Sequence, residues 1–453
     1  MNVHEDFWSA QRKEQFLVVG FSELTGLAMA RLLERMGVSF KISDLAPLDQ
    51  LTPRLKELNL RREDIFVGPQ ESTQLQGITQ ILLSPGVPRS ISLIRDACSR
   101  GIPVWNDFDF LYPLYADKSI AAITGTDGKT TTASLLAHQL KPSRSVTLAG
   151  NIGVPIASVY DELLRCDAVV LELSSFMLED IKRFRANVST VLNIAEDHID
   201  RYSSMAEYTL AKRNIVRFAR SGDVFVRNLD DERIASWNLS GIEVHTVSSH
   251  HDNADAYLLD GAIDVFGSRL PVASMKIQGA HLIEDVLVAT MMATAVGLSA
   301  TEALALAATF GGVPHRFETI GRFSGVDVID DSKATTVQAV HRALESLGDR
   351  NVVLILGGQD KHLDPAVLVA HERHLRAVVG YGQAGERLVS VFSRVPTHYA
   401  LAFEDAVELA CATAENNDVL LLSPASTSFD QHRDYRQRGQ IFRSLVRQHL
   451  FAP

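Results

Sequence analysis

The run Ile120-Ala121-Ala122-Ile123, the loop Gly125-Thr126-Asp127-Gly128-Lys129-Thr130-Thr131-Thr132 and the stretch Ala133-Ser134-Leu135-Leu136-Ala137 decide how this chain folds. The first is apolar throughout and reads as a buried parallel strand. The last reads as a helix. Strand, glycine loop, lysine, hydroxyl and helix together grip a nucleoside triphosphate. The glycines let backbone N–H groups approach phosphate oxygens, and the helix N-terminus adds positive potential. Lys129 is placed to reach the β- and γ-phosphates, and Thr130 to offer its hydroxyl to Mg²⁺. Gly125, Thr126, Asp127, Gly128, Lys129, Thr130 and Thr131 are therefore expected to bind ATP or GTP. A general phosphate loop leaves four residues between its first glycine and the Gly-Lys pair. Here Gly125 stands only three positions before Gly128, so an ordinary strand-to-helix turn is the competing reading.

Composition sets the class. At 453 residues the chain exceeds one core, and roughly three domains are expected. Hydrophobic content of 46% fits a globular enzyme, and no apolar stretch approaches the ~20 residues needed to span a bilayer. The polar start, Met1-Asn2-Val3-His4-Glu5-Asp6, carries no signal-peptide pattern. Cys98, Cys166 and Cys411 are scattered without ligand spacing, which fits a reducing cytoplasm. A formal charge of −11 argues against nucleic acid as a partner, while a local cluster of Lys and Arg could still hold an anionic substrate. Stable membrane association is not expected, and the chain is expected to be a monomer.

Outward from the phosphate loop, strand–helix alternation runs almost throughout, so the fold class is α/β with mostly parallel sheets. Upstream, Gln15–Gly20, a helix over Leu27–Leu33 and the strand Phe40–Asp44 lay out a mononucleotide-binding βαβ unit, with Asp44 where a ribose hydroxyl could be held. The loop Gly20–Gly26 lacks the dinucleotide fingerprint and is weak evidence alone. The strand Ile78–Leu83 runs into the rigid turn Ser84-Pro85-Gly86-Val87-Pro88. A boundary near Asn106–Asp109 closes this section. The expected domains are Rossmann-like over 1–107, a P-loop-type ATPase over 108–312 and Rossmann-like α/β over 313–453.

Downstream, the buried strand Ala168–Leu171 delivers Glu172, where an acid beside a phosphate loop holds Mg²⁺. The strand Thr190–Ile194 delivers Glu196-Asp197-His198-Ile199-Asp200, which reads either as a capping cluster or as a way of bringing His198 to metal or phosphate. A helix follows, with Lys212 about four turns along it. In the last section, strands ending near Asp330, Leu356 and Leu422 lead into Asp331-Ser332-Lys333-Ala334-Thr335, Gly357-Gly358-Gln359-Asp360-Lys361 and Ser423-Pro424-Ala425-Ser426-Thr427-Ser428. Loops at strand carboxyl ends should converge on one site, made cationic by Arg316, Lys333 and Lys361.

These motifs, with Leu171–Phe176, Leu192–Tyr202, Pro314–Glu318 and the stretch Leu422–Gln431 followed by Arg438-Gly439 and Phe442, resemble the Mur ligases over the whole chain and in family order. The shortened phosphate loop is itself a trait of that family. The resemblance implies an ATP-dependent ligase that phosphorylates the carboxylate of UDP-N-acetylmuramoyl-L-alanine to an acyl phosphate, which the amine of glutamate then attacks. It implies two Mg²⁺ ions, held by Thr130, Glu172, His198 and a carbamylated Lys212. Catalytic roles fall to Lys129, His198, Lys212 and Lys333. Arg316 and Asp331 would meet the nucleotide. Thr25, Asp44, Ser84, Gly86, Asn151 and Ser174 would meet the UDP-substrate, and Thr335, Lys361, Ser428 and Tyr435 the glutamate.

Departures mark the alternatives. The family's His-Asn-x-x-Asn is His281-Leu282-Ile283-Glu284-Asp285 here, so either ATP binding is weaker or the adenine is held by Asp285 and backbone. Phe-Gln-Leu-Glu becomes Phe176-Met177-Leu178-Glu179, and a pocket phenylalanine becomes Tyr435. An L-glutamate-specific ligase, a folylpolyglutamate synthetase-like ligase and a non-catalytic ATP-binding paralogue stay open beside the D-glutamate ligase.

Overall fold

The computed structural model describes residues 3–196, 201–277 and 280–450. Among these residues, helices and strands alternate and form three sheets, in two compact units that divide near Phe310–Gly311. The α/β expectation with mostly parallel sheets holds.

The first unit contains two sheets. One is fully parallel, in the order Ile65–Val67, Ser39–Asp44, Gln15–Val19, Gln80–Leu83, Val104–Trp105. Strand order reverses direction at Gln15–Val19, so the loops after Val19 and Leu83 leave a crevice at the carboxyl edge. The other sheet runs Ser268–Pro271, Ala262–Val265, Ala256–Leu259, Glu243–Ser248, Val224–Asn228, Val188–Val191, Ser119–Thr124, Ala168–Glu172, Val146–Gly150. It is parallel apart from the hairpins at its Ser268 edge. Ser119–Thr124 lies third from the other edge, between Val188–Val191 and Ala168–Glu172, and Ile120, Ala121, Ala122 and Ile123 are all buried. Covered on both faces, each of these aliphatic side chains contributes ~1.5–3 kcal/mol, alanine less, which keeps the following loop on a rigid base.

Aromatic packing joins the two sheets. Trp8, on helix Val3–Gln11, donates its indole N–H to the Tyr160 hydroxyl (2.8 Å), and Phe110 meets Phe16 edge-on at 5.4 Å. Phe108 is fully buried in the same cluster, so residues around the expected 107/108 boundary lie inside a continuous core. Asp109, also fully buried, accepts from the Lys182, Arg183 and Phe184 amides and pins the crossing between the sheets.

The second unit is one sheet in the order Glu318–Phe323, Val326–Asp330, Val419–Ala425, Val352–Gly357, Leu375–Tyr381, Thr397–Ala400, parallel except at its first pair. Two core clusters cover its faces. Its three central strands all end at the edge where the expected binding loops begin.

Two expectations shift in detail. The strand over Thr190–Ile194 stays in the ladder only through Val188–Val191. Beyond it the Asn193 side chain and the Ile194 amide turn to other partners, Thr126 and Asp127 amides and Asp231 respectively. The helix carrying Lys212 is Met205–Arg213, capped by Ser204, so Lys212 sits about two turns along rather than four.

Candidate functional site

The phosphate loop is held open from both sides. Gly128 has φ +81°, and a Cβ there would meet Asp285 Oδ1 at 2.2 Å, so only glycine fits. The Asp285 carboxylate accepts from the Thr132 hydroxyl (2.9 Å) and braces the start of helix Lys129–Leu140. It therefore supports the loop. On the other side Asn193 Oδ1 accepts from the amides of Thr126 (3.1 Å) and Asp127 (2.8 Å). The Lys129 ammonium donates to the carbonyls of Gly125 (2.8 Å) and Thr126 (2.7 Å), and Lys212 Nζ also donates to Gly125 O (2.7 Å). Two ammonium groups thus sit on one carbonyl at the loop. Lys212 is 1% exposed and lies 4.5 Å from the Tyr208 ring. Concentrated positive charge on a low-dielectric wall is what a triphosphate requires.

Glu172 ends its strand with 2% exposure. One carboxylate oxygen accepts from Thr130 Oγ1 (2.8 Å), and the other from the Asn151 amide (3.0 Å). Thr130 and Glu172 together present hard oxygen donors beside a helix N-terminus, a set that fits Mg²⁺, which binds few protein ligands and keeps waters or phosphate oxygens. Among the described residues no group of three or more His, Cys, Asp or Glu gathers as a metal site. His198, expected to join the metal site, lies outside the described residues. Two positions beyond Glu172, Ser174 caps helix Ser175–Leu178 by accepting from the Met177 amide.

From there the groups run toward the first sheet. Arg201 stacks over Phe176 at 4.1 Å, is held bidentately by Glu179, and donates to Pro85 O (3.0 Å). The turn containing Ser84 and Gly86 is thereby fixed against the central sheet. Ser84 Oγ donates to Gly20 O, and the Asp44 carboxylate accepts from the amides of Phe21 (2.6 Å) and Ala46 (2.8 Å). Asp44 shapes the Gly20 turn here, with Thr25 opening the next helix. The six residues expected at the UDP-substrate lie on two stations, Thr25, Asp44, Ser84 and Gly86 at the crevice and Asn151 and Ser174 beside Glu172.

In the second unit the three expected loops are stitched together. Ala425 N donates to Ala334 O (2.9 Å), Gln359 N to Thr427 O (2.9 Å), and Lys361 Nζ to Thr335 O (3.1 Å). Lys333 Nζ lies 5.5 Å from the Tyr435 ring. At the centre is Arg438, fully buried, donating to Ser332 Oγ and O, the Tyr381 hydroxyl and Ser426 O. Ser428 is buried, its carbonyl accepting from the His432 amide (2.8 Å). Arg316 is carried on a strained turn, since His315 and Phe317 flank it at φ +64° and +45°. Left-handed backbone at such residues costs on the order of 1–3 kcal/mol each. Hydrogen bonds to Asp330, Glu318 and Asp331 offset it. Gly439 must be glycine, because a Cβ would meet His315 Nδ1 at 2.2 Å.

Two carboxyls in sequence here titrate in opposite directions. Burial pushes Asp331 up from 3.8 to about 7, against the pull of Ser423, Phe317 and Arg316. Burial also acts on Asp330, but hydrogen bonds from His315 and Arg443 hold its carboxyl below the usual range.

Family models match the chain along its length: a MurD-like N-terminal domain of Mur ligases over 14–106, the Mur ligase middle domain over 123–293, and the Mur ligase glutamate ligase domain over 315–426. The chain is 35% identical to the UDP-N-acetylmuramoylalanine--D-glutamate ligase of Geobacter metallireducens, covering 96% of this chain and 97% of that one. The enzyme of that name from Desulfosudis oleivorans is 36% identical, with 95% of each chain covered. This chain belongs to the Mur ligase family. The fold agrees with solved Mur ligases: UDP-N-acetylmuramate-alanine ligase MurC of Thermotoga maritima (TM-score 0.60, 19% identity, 96% of this chain and 99% of that one) and MurF of Thermotoga maritima in complex with ADP (TM-score 0.58, 13% identity, 96% and 95%).

Several supports of this Mur ligase site escaped the sequence reading. Asn193, Tyr208, Arg201, Ser423 and His315 act through hydrogen bonds or stacking that no local pattern announces. Arg438 left a signal, for it shares one helical stripe with Phe442, Val446 and Leu450, all buried. An arginine at a core position of an amphipathic helix indicates a buried hydrogen-bonding hub.

Proposed function

We propose that the protein is an ATP-dependent carboxylate–amine ligase that joins D-glutamate to UDP-N-acetylmuramoyl-L-alanine in peptidoglycan precursor synthesis. The observation that carries this reading is the succession of groups in the first unit, from the Ser84–Gly86 crevice through Arg201 and Ser174 to Asn151, Glu172, Thr130 and Lys129. A long sugar-nucleotide with a terminal carboxylate matches that succession. Eight curated relatives, 33–36% identical, carry this activity in their names.

The alanine carboxylate oxygen attacks the γ-phosphorus and ADP leaves. The glutamate amine then attacks the acyl carbon, the C–O bond to phosphate breaks, and the amine gives up a proton. In this scheme the loop amides and Lys129 hold the phosphoryl group, and Asn151 and Ser174 orient the muramoyl end. Arg316 and Asp331 are assigned to the nucleotide, Lys333 to the transferring phosphoryl group, and Thr335, Lys361, Ser428 and Tyr435 to glutamate. Positioning and charge neutralisation supply most of the rate. Thr130 and Glu172 would hold Mg²⁺, which screens the phosphate charge, and His198 with a carbamylated Lys212 would hold a second ion. On this reading the enzyme works as a monomer in the cytoplasm, where its nucleotide substrates are made. Among the described residues no helix is long and apolar enough to cross a membrane.

Phosphate release measured with ATP, UDP-N-acetylmuramoyl-L-alanine and glutamate tests the reading. Release is expected only when both co-substrates are present, and with D-glutamate at least ~100-fold faster than with L-glutamate, the size of a few kcal/mol of pocket discrimination. ATP turnover indifferent to either co-substrate would defeat it, and faster turnover of L-glutamate would reverse the stereochemical assignment.

Carbamylation has its own test. Lys212→Ala is expected to lower turnover ~100-fold, in the range for removing one preorganised electrostatic group, and to regain part of it with added short carboxylates. Loss without carboxylate rescue would leave Lys212 acting as a cation at Gly125 O.

A further inference from the structure

Three exposed arginines of the first unit, Arg213, Arg217 and Arg233, line two adjoining depressions although the chain carries −11. The depressions, of about 440 and 310 Å³, lie along helix Met205–Arg213 and share Leu210 and Arg213 in their linings. Leu210 is 60% exposed and offers an aliphatic contact at the point where the two depressions meet. Trp237 lines the first depression, with the Arg213 guanidinium 5.6 Å from its ring. Arg233 lines the first and Arg217 the second, and both are exposed, as is Arg213. Among the described lining residues none is acidic.

The arginines are steered but not saturated by their neighbours. Among the described residues Arg213 donates to Asn238 O (3.2 Å) and Arg233 to Ile194 O (3.3 Å), one side-chain bond each from groups with five N–H donors. Among the described residues, none of those assigned to the ligase chemistry lines either depression. The buried side of the same helix sends Lys212 and Tyr208 to the phosphate loop, while Leu210 and Arg213 lie exposed. Leu210 and Arg213 of the trough therefore point away from Lys212 and Tyr208 on this helix.

We propose that this trough docks an acidic peptide segment of another protein. An apolar side chain of that segment sits against Leu210 and Trp237, and its carboxylates meet Arg213, Arg217 and Arg233. Tryptophan and arginine around an exposed aliphatic residue are the composition of binding hot spots. Two open depressions sharing residues suit an extended segment better than a compact ligand. Charge selects the partner's sign: an acidic segment is repelled by most of this surface and attracted here, which fixes where and how it lands.

Fluorescence anisotropy of the full-length protein with a labelled peptide of about 12 residues, Asp and Glu interspersed with Leu and Phe, tests this against a control in which each acid is Lys. Saturable binding of the acidic peptide alone is expected, weakened by added salt and at least ~10-fold by R213E/R217E, a loss of 1.4 kcal/mol or more. Leu210→Ala is expected to weaken it without changing the salt dependence. The replaced side chains are exposed, and an unchanged melting temperature verifies that the variants fold. Equal binding of both peptides, absence of saturable binding, or equal binding to wild type and R213E/R217E overturns the proposal.

Discussion

Replacing Lys129 by alanine is expected to lower turnover by ~10³- to 10⁵-fold, the range over which a single cation aimed at a transferring phosphoryl group acts. That is ~4–7 kcal/mol of transition-state stabilisation. The stability cost is expected to be much smaller. Lys129 is half-buried and its ammonium bonds two carbonyls of its own loop, Gly125 and Thr126. Such bonds are worth ~1–2 kcal/mol net apiece at most, and the loop keeps its braces from Asn193 and Asp285. Measuring single-turnover phosphate release alongside thermal denaturation separates the two quantities. A variant within tenfold of wild type in rate would remove the phosphate-loop reading, whatever its stability.

How far this site could be read in advance differs from group to group. The phosphate loop was legible because strand, glycine, lysine and helix are local: the apolar run Ile120–Ile123 fixes the strand and Gly128 fixes the turn. Glu172 was legible for the same reason, as an acid at the end of four apolar residues. The loops of the second unit were legible as strand ends, and their stitching through Ala334, Thr335 and Thr427 follows from sheet order. What could not be read is contact between residues distant in sequence. Asp285 meets Thr132 and the space beside Gly128 across 153 and 157 positions of chain, so its bracing of the loop had no local signature. Arg201 reaches Pro85 across 116 positions, so the seam between the first two sheets had no signature. The length of the segment before Lys212 was misjudged because helix onset depends on Ser204 as a cap, and serines at 203 and 204 compete for that role.

Stability of the second unit should fall as pH rises from about 4 to about 7, and Asp331→Asn should abolish that fall. Asp331 is buried, with one oxygen accepting from the Phe317 amide (3.0 Å) and the other from Ser423 Oγ (2.8 Å). Burial raises its carboxyl from 3.8 to about 7. In the unfolded chain the group ionises near 3.8, while the folded protein keeps it protonated until about 7. Between those values the folded state binds more protons than the unfolded state, so each step upward in pH favours unfolding; the contribution is complete below the lower value and lost above the upper one. Linkage over that interval amounts to ~4 kcal/mol. Asparagine keeps an oxygen for the Phe317 amide and can turn its NH₂ toward Ser423, so the hydrogen bonds survive without a charge to desolvate. The melting temperature of the variant is therefore expected to equal wild type near pH 4 and to exceed it by several degrees at pH 8. Neighbouring Asp330 works in the opposite sense: His315 and Arg443 hold its carboxyl low, so its contribution is present at neutral pH and fades only in acid. The two effects are separable by pH window. A wild type whose melting temperature does not change between pH 5 and 8, or a variant that tracks it throughout, would mean that Asp331 is ionised in its buried setting and that Arg316 is its partner in fact as well as in proximity.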